Sequence, residues 1–293
     1  MLRLPRFDYF APQSLEEAST LLIKGDGRRS LLAGGTDLLV KMKRGEVRCE
    51  GVIGLKNIPE LDSISVEDDL IRLGPMVTHR AVAHSISLNR CAGFLCDACG
   101  DLGTYHVRYM GTVAGNICNG SPSADSLPSL LVLEARLRIL GPNGEKGLPI
   151  DQIFLGPFQT ALGRDEILTS IEIPKPPPSC RGVYLKIPKV TEKDETLVGI
   201  AMSMVQTSTG AIEEIRIGLG SVAPTPIRAR ETETYLRGKD PEDLSSLGEA
   251  KRLLLEEISP RSRAEYRRRM VEHLFDRAME MLREDRTCRE NKG

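Results

Sequence analysis

The chain contains no tryptophan, aromatic residues make up only 4% of it, and there are four histidines in 293 residues. So few aromatics make a poor platform for stacking the bases of single-stranded nucleic acid. Charge of one sign is not in excess either: 40 Lys and Arg face 41 Asp and Glu, a formal net charge of −1. No global field therefore draws the chain to nucleic acid or to an anionic membrane. No stretch approaches the ~18 apolar residues of a membrane span. The opening MLRLPRFDYFAP is broken by Pro5 and Pro12 and lacks the apolar core of a secretory signal. A cytoplasmic protein is expected. Also missing are H-E-x-x-H, the dinucleotide fingerprint G-x-G-x-x-G and the P-loop pattern G-x-x-x-x-G-K-[ST], so neither a Rossmann site nor a P-loop NTPase is supported.

What is present has the size and composition of a soluble protein of two or three domains, with 40% hydrophobic and 28% charged residues. SLEEASTLLIK (14–24) reads as a helix capped by Ser14, with Glu17 completing a capping box. SLLAGGTDLLVKMK (30–43) reads as a short strand, a glycine turn and a helix opening at Thr36 or Asp37. GVIGLKNIPEL and LIRLGPMVTHRAVA carry the period-2 pattern of short strands. Residues 78–103 look helical in pieces, interrupted at Gly93 and Gly100. SLPSLLVLEARLRIL is an apolar helix running into a strand, GPNGEKG a turn, and ILTSIEIP a strand. PKPPPSC (174–180) is the strongest linker signal and marks the main boundary. Beyond it, VGIAMSMVQ and IEEIRIGLGSVAP form a hairpin about Ser208-Thr209-Gly210. SPRSRAEYRRRMVEHLFDRAMEML is an amphipathic helix with Ser259 or Ser262 as cap. Its arginines alternate with Glu265, Glu272 and Asp276, which favours a solvated or subunit-facing surface over a phosphate site.

Two glycine loops carry the chemistry. In AGGTDL (33–38), Gly34 and Gly35 permit positive φ and close backbone approach, Thr36 adds a hydroxyl, and the following helix presents unpaired N–H groups. TVAGN (112–116), within the nearly uncharged GTVAGNICNGSPSAD, offers a hydroxyl, a glycine and an Asn able to brace the turn. Together such loops suit the two phosphates of one diphosphate, gripped by backbone dipoles in place of Lys and Arg. The alternative is a pair of unrelated tight turns.

LLAGGTDLLVKMK, HVRYMGTVAGNICNGSPSADSLPSLLVLEA and IGLGSVAPTPIRA, in this order and with the C-terminal SRAEYRRRMVEHLFDRA, resemble the FAD-binding medium subunit of molybdenum hydroxylases. The resemblance spans nearly the whole chain. It implies an α+β protein: a vanillyl-alcohol-oxidase (PCMH) type FAD-binding domain over 1–176, made of two subdomains (about 1–58 and 59–176). A smaller α+β domain with an antiparallel sheet follows over 180–285, and then a flexible tail, 286–293. It implies FAD as cofactor and an electron-transfer role. The partners implied are a molybdopterin-binding large subunit, a small subunit with two [2Fe–2S] clusters, and an acceptor such as NAD(P), a quinone, ferredoxin or oxygen. A stand-alone FAD oxidoreductase of the same fold is the alternative.

By the same resemblance the diphosphate falls to Ala33, Gly34, Gly35, Thr36 and Asp37, flanked by Leu32 and Leu38, and to Thr112, Val113, Ala114, Gly115 and Asn116. Asp125 matches the acidic residue at the adenosine half, while Leu102, Leu168 and Lys186 match positions about the flavin ring. His106 stands just before the second loop, either touching the flavin or as a partly buried, hydrogen-bonded histidine. The family has Gly-Gly where this chain has Ala114-Gly115, so φ at Ala114 is expected to be negative.

The seven cysteines, an odd number without a secretory signal, argue against a disulfide framework. Cys91-x4-Cys96-x2-Cys99 with Cys118 matches a plant-type ferredoxin spacing by letter. The resemblance instead puts residues 94–103 on a helix, with Cys96 and Cys99 as ordinary small apolar side chains. One branch of the family begins a cysteine-bearing insertion at the place of Cys118; here NGSPSAD follows at once and no iron–sulfur cluster is expected. Cys118 falls beside the reactive edge of the flavin, near N5. His79 and His84, spaced i, i+5, are not a metal-ligand pair.

Overall fold

The computed structural model describes residues 3–191 and 195–283. Three larger sheets organise it, beside a two-stranded ribbon of Phe154–Gly156 and Gln159–Thr160. In the first, the fully buried strand Gly51–Gly54 lies between Asp8–Phe10 and Arg29–Leu32, both parallel to it. Parallel strands need a crossover: helix Leu15–Lys24 links the two outer strands, burying Ala18 and Leu22 in one cluster with Ile53 and Leu55, and helix Leu38–Arg44 links Arg29–Leu32 to its neighbour Gly51–Gly54. Ser14 Oγ caps that helix by accepting from the Glu17 N–H at 3.1 Å. The Glu17 carboxylate reaches the N–H of Gln13 at 2.8 Å, one residue earlier than a capping box requires.

The second sheet is antiparallel, in the order Ile64–Val66, Leu70–Leu73, Ile167–Pro174, Arg136–Gly141, Gly144–Pro149. Its apolar face packs with helices Ile86–Asp101 and Ser126–Val132 through Leu95, Leu127, Leu130, Ile139 and Ile171. Residues 79–83, where the strand-like pattern of 70–83 overlaps the helical reading of 78–103, form a short helix whose start is capped by Thr78 Oγ1 accepting from Ala81 N–H at 3.1 Å. One expectation needs correction here. The next helix runs through both Gly93 and Gly100; its break is at Ala92, with φ −139° and ψ 45°. Burial of Phe94, Leu95, Ala98 and Cys99 in the core outweighs the roughly 1 kcal/mol that each helical glycine costs.

The third sheet, Arg181–Pro188, Thr196–Gln206, Ile212–Gly220 and Ile227–Arg228, is also antiparallel. Gly210 at φ +89° turns its hairpin. Helix Ala264–Arg283 buries Val271, Leu274, Phe275, Ala278 and Leu282, a helical-period stripe, in the core of this sheet. Against the sheet also lies Ser126–Val132, every residue of which is buried. The approach is so close that a Cβ at Gly218 would stand 2.4 Å from the Pro128 carbonyl oxygen.

Neither Ser259 nor Ser262 caps the C-terminal helix. It starts behind Arg263, at φ 49°, whose carbonyl accepts from Arg267 N–H at 3.0 Å. The arginines there serve the fold itself: Arg267 donates to the carbonyls of Leu197 and Ser221, Arg268 to that of Leu255, and Arg269 pairs with Glu265. The tail assigned to 286–293, with Cys288, lies outside the described residues. Among the described residues no helix is long and apolar enough to cross a membrane.

Candidate functional site

A cleft of about 680 Å3 is lined by the strand Arg29–Leu32 of the first sheet, the start of Ile167–Pro174 in the second, and both glycine loops. That volume is in the upper half of the ~300–1,000 Å3 typical of organic-ligand sites. Two further hollows, about 410 Å3 beside Ser14 and about 570 Å3 beside Arg80, are smaller.

The loops meet at Gly34. A Cβ there would lie 1.9 Å from the Met110 carbonyl oxygen and 2.8 Å from Gly111 Cα, so only glycine allows the two backbones to touch. Gly35 plays a different part: it sits at φ +74°, and a Cβ on it would point at the side chains of Leu32 and Leu39. The turn leads into helix Leu38–Arg44 with Asp37 in the capping position. Gly35 and Asp37 give their carbonyls to Leu39 and Lys41 N–H groups. Among the described residues the N–H groups of Gly35, Thr36 and Asp37 reach no acceptor. In the second loop, Thr112 caps helix Val113–Asn119, its Oγ1 accepting from Gly115 N–H at 3.0 Å. Val113 N–H donates to the Val77 carbonyl and Asn116 N–H to that of Thr112, which leaves Ala114 N–H without an acceptor. Ala114 is helical and not among the residues of positive φ, as expected from its replacement of glycine. Asn116 braces the next helix, accepting from Ser126 Oγ at 2.8 Å.

Most of the expected site residues share this cleft: Ala33 through Leu38, Leu102, Thr112, Ala114, Gly115, Asn116, Cys118, Asp125 and Leu168 all line it. Leu32, His106, Val113 and Lys186 do not, Val113 being fully buried. Leu32 packs beneath Gly35. His106 is exposed, with its ring edge-on to Tyr105 at 6.2 Å, so it is neither buried nor on the cleft wall. Lys186 donates to the Asp101 carbonyl at 2.6 Å and to Asp125 Oδ2 at 3.3 Å, with its side chain 5% exposed. Asp125 Oδ1 accepts from Tyr184, at 2.7 Å, and from Thr196. Burial raises the carboxyl pKa of Asp125, opposed chiefly by Lys186. The same carboxylate therefore faces the cleft and ties the second glycine-loop segment to the third sheet.

Sequence reasoning assigned the diphosphate to backbone dipoles in place of Lys and Arg and missed the cations of the wall. Arg29, Lys41, Arg48 and Arg164 all reach the wall, and none forms an ion pair with another described residue. Of the acidic groups on the wall, Glu166 pairs with Lys146 at 2.5 Å, Glu195 with Lys189 and Asp125 with Lys186, while Asp37 has no ion pair and feels the charge of Lys41. The cleft thus presents free N–H groups together with four cations against one unpaired carboxylate, Asp37, which is a site for an anion. No motif marked the four cations because they come from separate segments. His79 was missed as well: it lines the cleft and is 2% exposed.

Cys118 is exposed in the cleft, and the protein gathered around it pushes its thiol pKa up. It stays protonated at neutral pH. Cys96 and Cys99 are buried in the main core, with Cys96 also pushed up to about 12 by burial, while Cys91 is half-buried. Among the described residues no group of three or more His, Cys, Asp or Glu is placed to hold a metal ion.

Two backbone loops in contact, free N–H groups on both and a long cleft between two sheets define a protein that binds a diphosphate-linked cofactor. Residues 5–176 match the family model described as the FAD binding domain in molybdopterin dehydrogenase, and 183–282 that of the CO dehydrogenase flavoprotein C-terminal domain. Over 256 residues the chain is 31% identical to a xanthine dehydrogenase FAD-binding subunit from Escherichia coli O157:H7, covering 87% of each. It is 33% identical over 235 residues to a carbon monoxide dehydrogenase medium chain from Hydrogenophaga pseudoflava, covering 80% of this chain and 81% of that one. A solved structure of that organism's carbon monoxide dehydrogenase, lacking the Mo-pyranopterin moiety, matches with a TM-score of 0.90 at 32% identity, covering 95% of this chain and 97% of the other. The chain belongs to the family of FAD-binding medium subunits of molybdenum-dependent dehydrogenases. It is an oxidoreductase subunit whose cofactor is FAD.

Proposed function

We propose that this chain is the electron-transfer flavoprotein subunit of a molybdenum hydroxylase complex. Its partners are a large subunit with molybdopterin and a small subunit with two [2Fe–2S] clusters, and it exchanges electrons with NAD(P), a quinone, ferredoxin or oxygen. The cleft between the first and second sheets is the flavin site of a PCMH-type fold, with subdomains near 1–58 and 59–176 on either side of it and a C-terminal domain over 180–285. The observation that carries this reading is the contact of the two loops at Gly34, with N–H groups free on both.

FAD, when bound, supplies hydride and single-electron exchange. The chain's own residues do the holding. The N–H groups of Gly35, Thr36, Asp37 and Ala114 bind the diphosphate, and Arg29, Lys41, Arg48 and Arg164 offset its charge. Leu102 and Leu168, both buried, wall the ring and exclude water. Asp125 serves the adenosine half, and Lys186 acts on the site through Asp125. Cys118 lies beside the reactive edge. No acid, base or nucleophile is required of these side chains. A cytoplasmic location accords with redox partners of this kind.

The purified chain is expected to release FAD on denaturation, identified by chromatography; release of FMN alone, or no flavin after reconstitution, would overturn the two-loop reading. Copurification with molybdopterin and iron–sulfur subunits tests the assembly. Cys118→Phe places a ring in the cleft one helical turn beyond Ala114. It should keep FAD but slow reoxidation by the external acceptor severalfold, whereas Cys118→Ala changes the rate little. Wild-type reoxidation of the Phe variant at full flavin content would place the reactive edge elsewhere.

A further inference from the structure

We propose that Arg261 and Arg263, beside the mouth of the flavin cleft, form the docking surface for an acidic electron-carrier protein. The proposal rests on the flavoprotein reading and names the class of redox partner that this site receives.

Hydrogen bonds fix where these two arginines stand. Ser259 N–H donates to the Val222 carbonyl at 3.0 Å, and Arg267 reaches back with its Nε to the Ser262 carbonyl at 3.0 Å. The same guanidinium donates to the carbonyls of Ser221 and Leu197, while Ser221 Oγ donates to that of Thr196 at 2.8 Å. The turn before the C-terminal helix is thereby pinned to the start of strand Thr196–Gln206. Just ahead of that strand stands Glu195, which lines the cleft and accepts at 2.8 Å from Ser123 Oγ, also on the cleft wall. Ser123 belongs to the segment that follows Cys118, the thiol assigned to the reactive edge. The charges report the same proximity. Lys189 first, then Ser123 and Arg267, hold the Glu195 carboxyl below its ordinary pKa. Burial, then Arg263 and Arg261, push the Arg267 guanidinium below its own, against the opposing pull of Glu195.

Glu195 is already paired with Lys189. Arg261 and Arg263 are exposed, and neither forms an ion pair with another described residue. They line none of the three hollows described above, so they face open surface, which suits a protein partner better than a nucleotide in a concave pocket. Val190 and Tyr266, exposed on the same two segments, supply apolar contact. Permanent interfaces are large and hydrophobic, whereas encounters between redox proteins are small and steered by opposite charge. A carrier that must leave after each electron is of the second kind. Two reduced one-electron carriers are oxidised as FAD gains two electrons, with protons from solvent.

The test follows flavin reduction in the FAD-bound protein by photoreduced plant-type ferredoxin, an acidic one-electron carrier, in stopped flow. Reoxidation by uncharged benzoquinone is the control. Arg261→Glu with Arg263→Glu reverses the surface, and Arg261→Lys with Arg263→Lys keeps its charge. Arg237→Glu with Lys239→Glu makes the same change in net charge at the other end of strand Thr196–Gln206, where the Lys239 carbonyl accepts from Ile212 N–H opposite Gln206. Eleven strand residues span roughly 35 Å, several times the screening length of ~8–10 Å. Steering by opposite charge raises encounter rates by roughly 10- to 1000-fold. Reversal at 261 and 263 should therefore slow reduction by ferredoxin at least about tenfold at low salt, a difference that vanishes near ~1 M salt. The lysine pair and the distant reversal should stay within twofold of wild type, and benzoquinone should reoxidise all of them alike. Ferredoxin reduction within twofold of wild type after reversal at 261 and 263 overturns the proposal, as does an equal loss in the distant variant or no transfer from ferredoxin to wild type. A slower benzoquinone step in the 261 and 263 variant overturns it too, since the cleft itself would then be disturbed. So does a copurified complex in which wild type transfers no faster than that variant, because a permanent subunit would then cover the surface. Failure of wild type to take up FAD at all would instead overturn the cofactor reading.

Discussion

Gly34→Ala is expected to strip the protein of FAD, whereas Gly35→Ala should retain most of it. The added methyl at residue 34 would lie 1.9 Å from the Met110 carbonyl oxygen and 2.6 Å from its carbon, and both are backbone atoms that cannot rotate away. The two loops must then separate. Overpacking of this kind costs about 1–3 kcal/mol of stability. Separation also breaks the registry of the free N–H groups, and losing two hydrogen bonds to a charged group weakens binding by roughly 100-fold or more. At Gly35 the penalty is the positive φ of 74°, about 1 kcal/mol for Ala, and the new methyl meets only the side-chain tips of Leu32 and Leu39. Flavin absorbance per chain, measured with the melting temperature, checks both. A Gly34→Ala protein with wild-type flavin content would show that the junction of the loops is not the cradle.

The second large effect is expected at Asp125. Its carboxylate gathers Tyr184, Lys186 and Thr196, all from the third sheet. Asp125→Asn leaves the Lys186 ammonium, with its side chain 5% exposed, without a counter-charge. Removing one partner of a buried pair destabilises by about 3–5 kcal/mol. The loss should appear as a lowered denaturant midpoint. Pairing the change with Lys186→Met should recover part of it, because the double variant removes both charges. If Asp125→Asn unfolds within about 0.5 kcal/mol of wild type, the range of a neutral surface substitution, the carboxylate is not a structural tie.

These two residues show how unevenly the site could be read. AGGT and TVAGN were legible as backbone cradles because turn chemistry is local: glycine, a hydroxyl and a helix start lie within a few residues of one another. Which glycine does what was not legible. Residues 34 and 35 have the same letter, and their difference arises from Met110, some seventy-five positions away. Asp125 was placed at the site by resemblance, but its three donors come from strands that reach it only when the third sheet docks. Lys186 was drawn to the cleft by the same resemblance and proves to sit behind Asp125. The helix break was sought at Gly93 and Gly100, where propensity points, and lies at Ala92, where packing decides.

The sequence by itself determined the elements with strong local signals: the capped helix after Ser14, the strand ILTSIEIP, the hairpin at Gly210, the two glycine loops and the family they mark. Only the tertiary structure decided that the loops touch at Gly34, that four cations from separate segments stand unpaired in one cleft, and that His79 is buried in its wall. Propensity, capping and turn preference act over a few residues and are written in consecutive letters. Contact between distant backbones, the pairing of buried charges and the burial of one histidine among four depend on chain closure, which brings together residues that no local pattern connects.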